Sequence, residues 1–162
     1  MDFDQEMKLH EDFMRLAIEQ AKLVKRGLRF GAVIVKNLEV VAAAHNTVHE
    51  DYDPTGHAEL LTIREAARIL KTKNLRECTL YSTCEPCVMC SGAIILAGII
   101  RVVIGFQRER ALYLFDRTLY LHRTLSELSS PHPRFGFAKA CYMQLITGVL
   151  AADCLAACEE DI

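Results

Sequence analysis

Apolar positions across residues 4–26 return at helical spacing: Phe13, Leu16, Ala17, Leu23 and Val24, with Gln20 in phase. That period predicts an amphipathic helix, and Gly27 stands where a C-terminal cap belongs. The pattern then changes. Phe30-Gly31-Ala32-Val33-Ile34-Val35 is a short apolar run with β-branched content, and Val40-Val41-Ala42-Ala43 follows across Lys36-Asn37-Leu38. Two such runs so close together predict a hairpin. Residues 46–56 are polar, hold Pro54 and read as a loop. Residues 57–70 return to the helical period, with Leu60, Leu61, Ile63, Ala66, Ala67 and Leu70 as the inner side. Residues 78–83 predict a strand. Pro86 suits a first helical position, where its missing N–H costs nothing, and that helix runs through Cys90 to about residue 97. Residues 101–105 predict another strand, 106–134 one or two short helices, 140–146 a last strand and 151–158 a last helix.

Strand–helix alternation implies parallel pairing with helices on both faces of the sheet, an α/β architecture. The chain shows no repeat, low-complexity tract or linker, so one domain over residues 1–162 is expected. Composition narrows this further. A hydrophobic fraction of 51% with 25% charged residues is that of an ordinary folded domain. It excludes a disordered chain, a collagen and a disulfide-dense mini-protein. A net charge of -2 gives no overall attraction to nucleic acid or to an anionic membrane. The longest apolar run, residues 92–100, is too short to span a bilayer, and residues 1–12 carry no apolar signal core. Seven cysteines in such a chain are expected to be reduced, catalytic or metal-bound, which points to the cytoplasm.

The candidate chemistry lies at two helix starts. His57-Ala58-Glu59 opens one, and Pro86-Cys87-Val88-Met89-Cys90 opens the other. Cys87 and Cys90 are three apart, hence on one helical face. A helix N-terminus favours the thiolate form of both. With the imidazole of His57 they make a soft donor set that suits tetrahedral Zn2+. Three protein ligands leave a fourth position for water, the arrangement of a catalytic zinc. Glu59, two residues beyond His57, can take a proton from such a water and return it to a ring nitrogen or a leaving amine. The pattern H-x-E with P-C-x-x-C is the signature of zinc nucleobase deaminases. Cys84 leaves an alternative open. With it the run reads Cys-x-x-Cys-x-x-Cys, and together with His57 it could close a four-ligand structural zinc site. Asn46 could serve only a turn, and Phe30 could be core or a surface on which a base stacks. Cys78, Cys141, Cys154 and Cys158 read as small packed hydrophobes, and His122 and His132 as surface residues.

At these residues the chain resembles the cytidine deaminase superfamily, most closely the bacterial tRNA adenosine deaminases and the small guanine deaminases. The similarity rests on Phe30-Gly31-Ala32-Val33-Ile34-Val35, Asp53-Pro54-Thr55-Gly56-His57-Ala58-Glu59, Cys84-Glu85-Pro86-Cys87-Val88-Met89-Cys90-Ser91-Gly92-Ala93 and Arg101-Val102-Val103-Ile104-Gly105. The resemblance implies a three-layer α/β/α sandwich on a five-stranded mixed sheet and a homodimer. It implies one zinc held by His57, Cys87 and Cys90, with Glu59 shuttling protons. It further implies that Asn46 and the backbone amide of Ala58 contact the base, and Phe30 is a third candidate contact, read from the residue itself. Arg29 stands where the family often has Pro, and Gly56 replaces a more usual Ala, a small change.

The expected activity is hydrolytic deamination of an exocyclic amine on a nucleobase or nucleoside, a free purine such as guanine first. Adenosine in tRNA is the alternative, and a non-catalytic zinc-stabilised interaction module the third reading. Cys84 before Glu85 is more like the guanine deaminases. Residues 140–162 contain no Lys or Arg and four acids, a poor surface for an RNA backbone. Residues 101–139 weigh the other way, with seven basic residues against three acids.

Overall fold

The computed structural model describes residues 2–107 and 144–159. The elements in chain order are α1 (Phe3–Lys22), β1 (Gly31–Lys36), β2 (Glu39–His45), α2 (Ala58–Leu70), β3 (Thr79–Cys84), α3 (Val88–Leu96), β4 (Arg101–Phe106), β5 (Gln144–Thr147) and α4 (Ala151–Glu159). The helices expected over residues 106–134 fall outside the described residues, apart from Phe106, which ends β4, and Gln107. The start of the last strand, Cys141, His122, His132 and most of the basic stretch also fall outside them.

The sheet order is β2-β1-β3-β4-β5. β1 pairs antiparallel with β2 and with β3, while β3–β4 and β4–β5 are parallel. The alternation rule therefore holds across an intervening strand. β2 and β3 flank β1 in the same direction, and α2 makes the crossover between them. The result is the expected α/β/α sandwich on a five-stranded mixed sheet. Alternate side chains of β1 divide the core. Val33 and Val35 pack with Phe13, Met14, Ala17 and Ile18 of α1 and with Cys154, Ala157 and Cys158 of α4. Ala32 and Ile34 pack with Ala58, Ile63 and Ala66 of α2 and with Ile94 of α3. Residues buried on both faces of the sheet explain why β1 and β4 read as continuous apolar runs.

Several local expectations shift. α1 starts on a capping box in which the Asp2 side chain accepts from the Gln5 N–H at 2.8 Å and the Asp2 N–H reaches back to Gln5. It ends at Lys22 with Leu23 as the cap, and Gly27, at φ +90°, serves the turn beyond. Its buried face is His10, Phe13, Met14, Ala17, Ile18 and Ala21, whereas Leu16 and Leu23 are exposed. Pro86 lies one residue before the N-cap of α3, which is Cys87. The buried face of α2 is Ala58, Glu59, Thr62, Ile63 and Ala66, rotated from the expected apolar side, with Leu60, Leu61 and Ala67 half-buried. That rotation places a carboxylate and a hydroxyl against the sheet.

Candidate active site

The loop from β2 to α2 sets the approach of His57. The Asn46 N–H donates to the Phe30 carbonyl at 2.9 Å and the Thr47 N–H to the Gly56 carbonyl at 2.8 Å. Asp53 accepts from both the N–H (2.8 Å) and the hydroxyl (2.7 Å) of Thr55, which holds its carboxyl below the usual carboxylate range and tightens the turn into Gly56. A Cβ at Gly56 would lie 2.8 Å from the Thr47 hydroxyl oxygen and 3.2 Å from the Asp53 carbonyl. The glycine is thus more than a small change from Ala, since it makes room for Thr47 directly before His57.

His57 is the N-cap of α2 and Cys87 the N-cap of α3. Both helices lie on the same face of the sheet, and their starts converge. The His57 Nδ1 is 3.5 Å from the Cys87 Sγ and 3.6 Å from the Cys90 Sγ. Ligand atoms of His57, Cys87 and Cys90 lie within 4.8 Å of one another, close enough for one ion. The Cys90 N–H donates to the Cys87 Sγ at 3.5 Å, as expected for a thiolate at a helix start. The Cys87 thiol is pulled down, first by its hydrogen bond with Cys90. That same bond, and then burial, hold the Cys90 thiol up. One imidazole and two sulfurs so arranged fit a zinc ion, with no fourth protein donor in the group among the described residues.

Cys84 is not part of that group. It is buried in the cluster shared with Phe13 and Tyr81 and with Cys154 of α4. The closed four-ligand alternative therefore finds no support in the geometry. Glu59 is in the first turn of α2 and buried. Its Oε2 lies 3.6 Å from the Cys90 Sγ, beside the donor set. Burial, and then the charge of Cys87, push its pKa up. Ala58, the first residue of α2, is buried, and first-turn N–H groups have no acceptor within their own helix.

Asn46 is buried, with its Nδ2 donating to the Leu28 carbonyl at 2.7 Å and its Oδ1 accepting from the Val48 N–H at 3.3 Å. These bonds brace the loop, yet one N–H and one lone pair of the amide remain beyond them. Phe30 is partly buried at the head of β1 and packs against both core clusters. The sequence reading missed Ser82. This residue of β3 is 1% exposed, and its Oγ is 2.7 Å from the Cys84 carbonyl oxygen and 3.3 Å from the Glu59 Oε1. Hydroxyl side chains also stand at Thr79, Tyr81 and Thr83 of this strand, so nothing in the sequence singled out Ser82.

The profile of the cytidine and deoxycytidylate deaminase zinc-binding region matches residues 7–106. A tRNA-specific adenosine deaminase of Aquifex aeolicus is 48% identical over 97 residues, covering 59% of this chain and 64% of that protein. A guanine deaminase of Bacillus subtilis is 46% identical over 88 residues, covering 52% of this chain and 56% of its own. The chain thus spans about three-fifths of the length of these relatives. A protein solved in complex with 2,6-diaminopurine superposes with a TM-score of 0.73 at 26% identity, over 93% of this chain and 80% of that one. With the profile spanning most of the chain and the three metal donors meeting as its zinc site requires, the chain belongs to the cytidine and deoxycytidylate deaminase zinc-binding family.

Proposed function

We propose that this protein is a zinc-dependent hydrolase that removes the exocyclic amino group of a purine base, guanine foremost, and releases ammonia. The observation that carries the reading is the buried carboxylate of Glu59, whose Oε2 stands 3.6 Å from Cys90 beside a set of three metal donors. Zinc held by His57, Cys87 and Cys90 supplies Lewis acidity toward water. Glu59 takes the proton that water loses as its oxygen bonds to the amidine carbon. It delivers that proton to the ring nitrogen and then to the departing amine, so water and amine become carbonyl and ammonia. Burial raises the affinity of Glu59 for the proton between these steps. The Ala58 N–H, the remaining hydrogen-bonding capacity of Asn46 and the ring of Phe30 hold the base.

The guanine deaminase relative and the diaminopurine complex support a free base. Adenosine in tRNA is the second reading, supported by the 48% identical relative. Among the described residues no helix is long and apolar enough to cross a membrane. The described cysteines, most of them buried, are not paired in disulfides, which suits a cytoplasmic site of action. The uncharged outer face of α3 suits a homodimer. An ammonia-release screen over guanine, adenine, cytosine, their nucleosides and an anticodon stem-loop tests the reading. Turnover of guanine is expected. Turnover of the stem-loop alone transfers the assignment to tRNA, and no turnover of any substrate removes it.

A further inference from the structure

The two halves of the site meet directly, at His57–Cys87, His57–Cys90 and Glu59–Cys90, and one further side chain that belongs to neither touches both. Glu59 comes from α2, and Cys87 and Cys90 from α3, while Ser82 stands on β3 beneath both. Its hydroxyl has one proton and two acceptors within reach, the Cys84 carbonyl at 2.7 Å and the Glu59 Oε1 at 3.3 Å. The first distance is an ordinary O–H···O bond and the second a looser contact, and a serine hydroxyl rotates freely between them. The Cys84 carbonyl leads directly into Glu85-Pro86-Cys87, so the same hydroxyl touches the chain that delivers the thiolates and the carboxylate that faces them. The two carboxylate oxygens of Glu59 consequently have different surroundings. Oε1 rests on Ser82, and Oε2 lies against Cys90.

We propose that Ser82 is a positioning residue for the Glu59 carboxylate, holding Oε1 on β3 so that Oε2 faces the His57–Cys87–Cys90 group. The proposal rests on the deaminase reading for its kinetic consequence but not for its geometric one. A carboxylate free to turn about its last torsion presents the wrong oxygen part of the time, and small misplacements of a proton-transferring group are costly in rate. A serine at this place supplies a donor at minimal volume. Alanine would remove the donor from both acceptors, and threonine would keep it.

The test compares crystal structures, zinc content and steady-state kinetics of the wild type, Ser82→Ala and Ser82→Thr. Zinc per chain is expected to be equal in all three. In Ser82→Ala the Glu59 carboxylate should turn or occupy more than one orientation, and kcat should fall on the order of tenfold with KM within about twofold. Ser82→Thr should restore the single orientation and most of kcat. One wild-type-like orientation of Glu59 in Ser82→Ala would overturn the proposal. So would a loss that appears in KM with kcat unchanged, or a folded Ser82→Thr that recovers neither orientation nor rate. If Ser82→Ala does not fold, Ser82→Cys, with its weaker donor, takes its place in the comparison. Failure of the deaminase reading shows separately, as a wild type that releases no ammonia, and the carboxylate orientation then decides the role of Ser82.

Discussion

A carboxylate on the sheet-facing side of a helix costs stability that apolar packing at the same place would supply. Glu59 occupies such a place, and the hydroxyl of Thr62, one turn on, shares it. Thr62 is satisfied locally, donating to the Ala58 carbonyl at 2.6 Å. Glu59 is only partly compensated by the neighbouring His57 imidazole, whose charge lowers its pKa less than burial raises it. Its other neighbours are the Ser82 hydroxyl, the Cys90 sulfur and Cys87, whose charge adds to burial in raising its pKa. The residue is therefore explained by its chemistry rather than by its packing. Replacing it with glutamine separates the two. Glu59→Gln keeps the shape and an Oε1 for Ser82 but cannot accept and return a proton. Zinc content and melting temperature should stay near those of the wild type, while ammonia release falls by at least about 10². A Glu59→Gln enzyme of near-normal rate would remove the acid–base role, and one that loses zinc would make Glu59 part of the metal site instead.

At the level of elements, α1 is docked on the sheet through a buried polar contact. The His10 Nδ1 is 3.0 Å from the Tyr81 hydroxyl of β3, and the ring of Phe13 stacks obliquely on Tyr81 at 5.2 Å between centroids. The His10 Nε2 is buried without a hydrogen-bond partner, with the Glu6 carboxylate 3.9 Å away. Burial lowers the His10 pKa, Glu6 partly offsets this, and Arg101 at the start of β4 adds to it. The unfolded chain therefore takes up a proton at His10 before the folded one does. Stability from this group is complete above about pH 6.5 and is lost as pH falls from there toward the lower folded value. The drop in melting temperature between pH 7.5 and pH 5.5 should be larger for the wild type than for His10→Gln, and equal drops would refute the assignment. Which elements exist was legible from apolar period and β-branched runs, and the group His57, Cys87 and Cys90, with Glu59 beside it, from a known motif read through the chemistry of its residues. The rotation of α1 and α2 was not: Leu16 and Leu23 are as apolar as Met14 and Ile18, and on α2 the buried Glu59 and Thr62 are less apolar than Leu60 and Leu61, so apolar period points to the wrong side and only the sheet beneath decides which is inner. Cys84 was ambiguous for a related reason. Its spacing from Cys87 matches that of Cys90, and only the change from strand to helix at residues 85–87 carries its sulfur into a different cluster. Ser82 was invisible because its contact with Glu59 joins residues 23 apart in the chain, on β3 and α2, rather than belonging to a motif.

At the scale of the whole molecule, α3 presents a surface that the described residues do not cover. Its inner side is buried through Cys90, Ser91 and Ile94. Its outer side carries Met89, Gly92 and Leu96 at helical spacing, with Leu96 84% exposed and no charged residue anywhere along the helix. A helix apolar all round is ordinarily a buried one. Surface helices of this protein look different, with α1 bearing charges on its outer side and i,i+3 and i,i+4 ion pairs such as Lys22–Glu19 and Arg15–Glu11. A second copy placing its own α3 on this one would bury both stripes at once, since a two-fold interface joins like to like. The metal donors Cys87 and Cys90 stand at the start of the same helix, so the interface would run past the mouth of the site. Sedimentation velocity at micromolar concentration should therefore give a dimer for the wild type and a monomer for Leu96→Glu. Folding and zinc content should be unchanged, because Leu96 is too exposed to support the core. A dimer that survives Leu96→Glu and Met89→Glu together would place the contact on another face, and a monomeric wild type would leave the stripe for a partner of different kind.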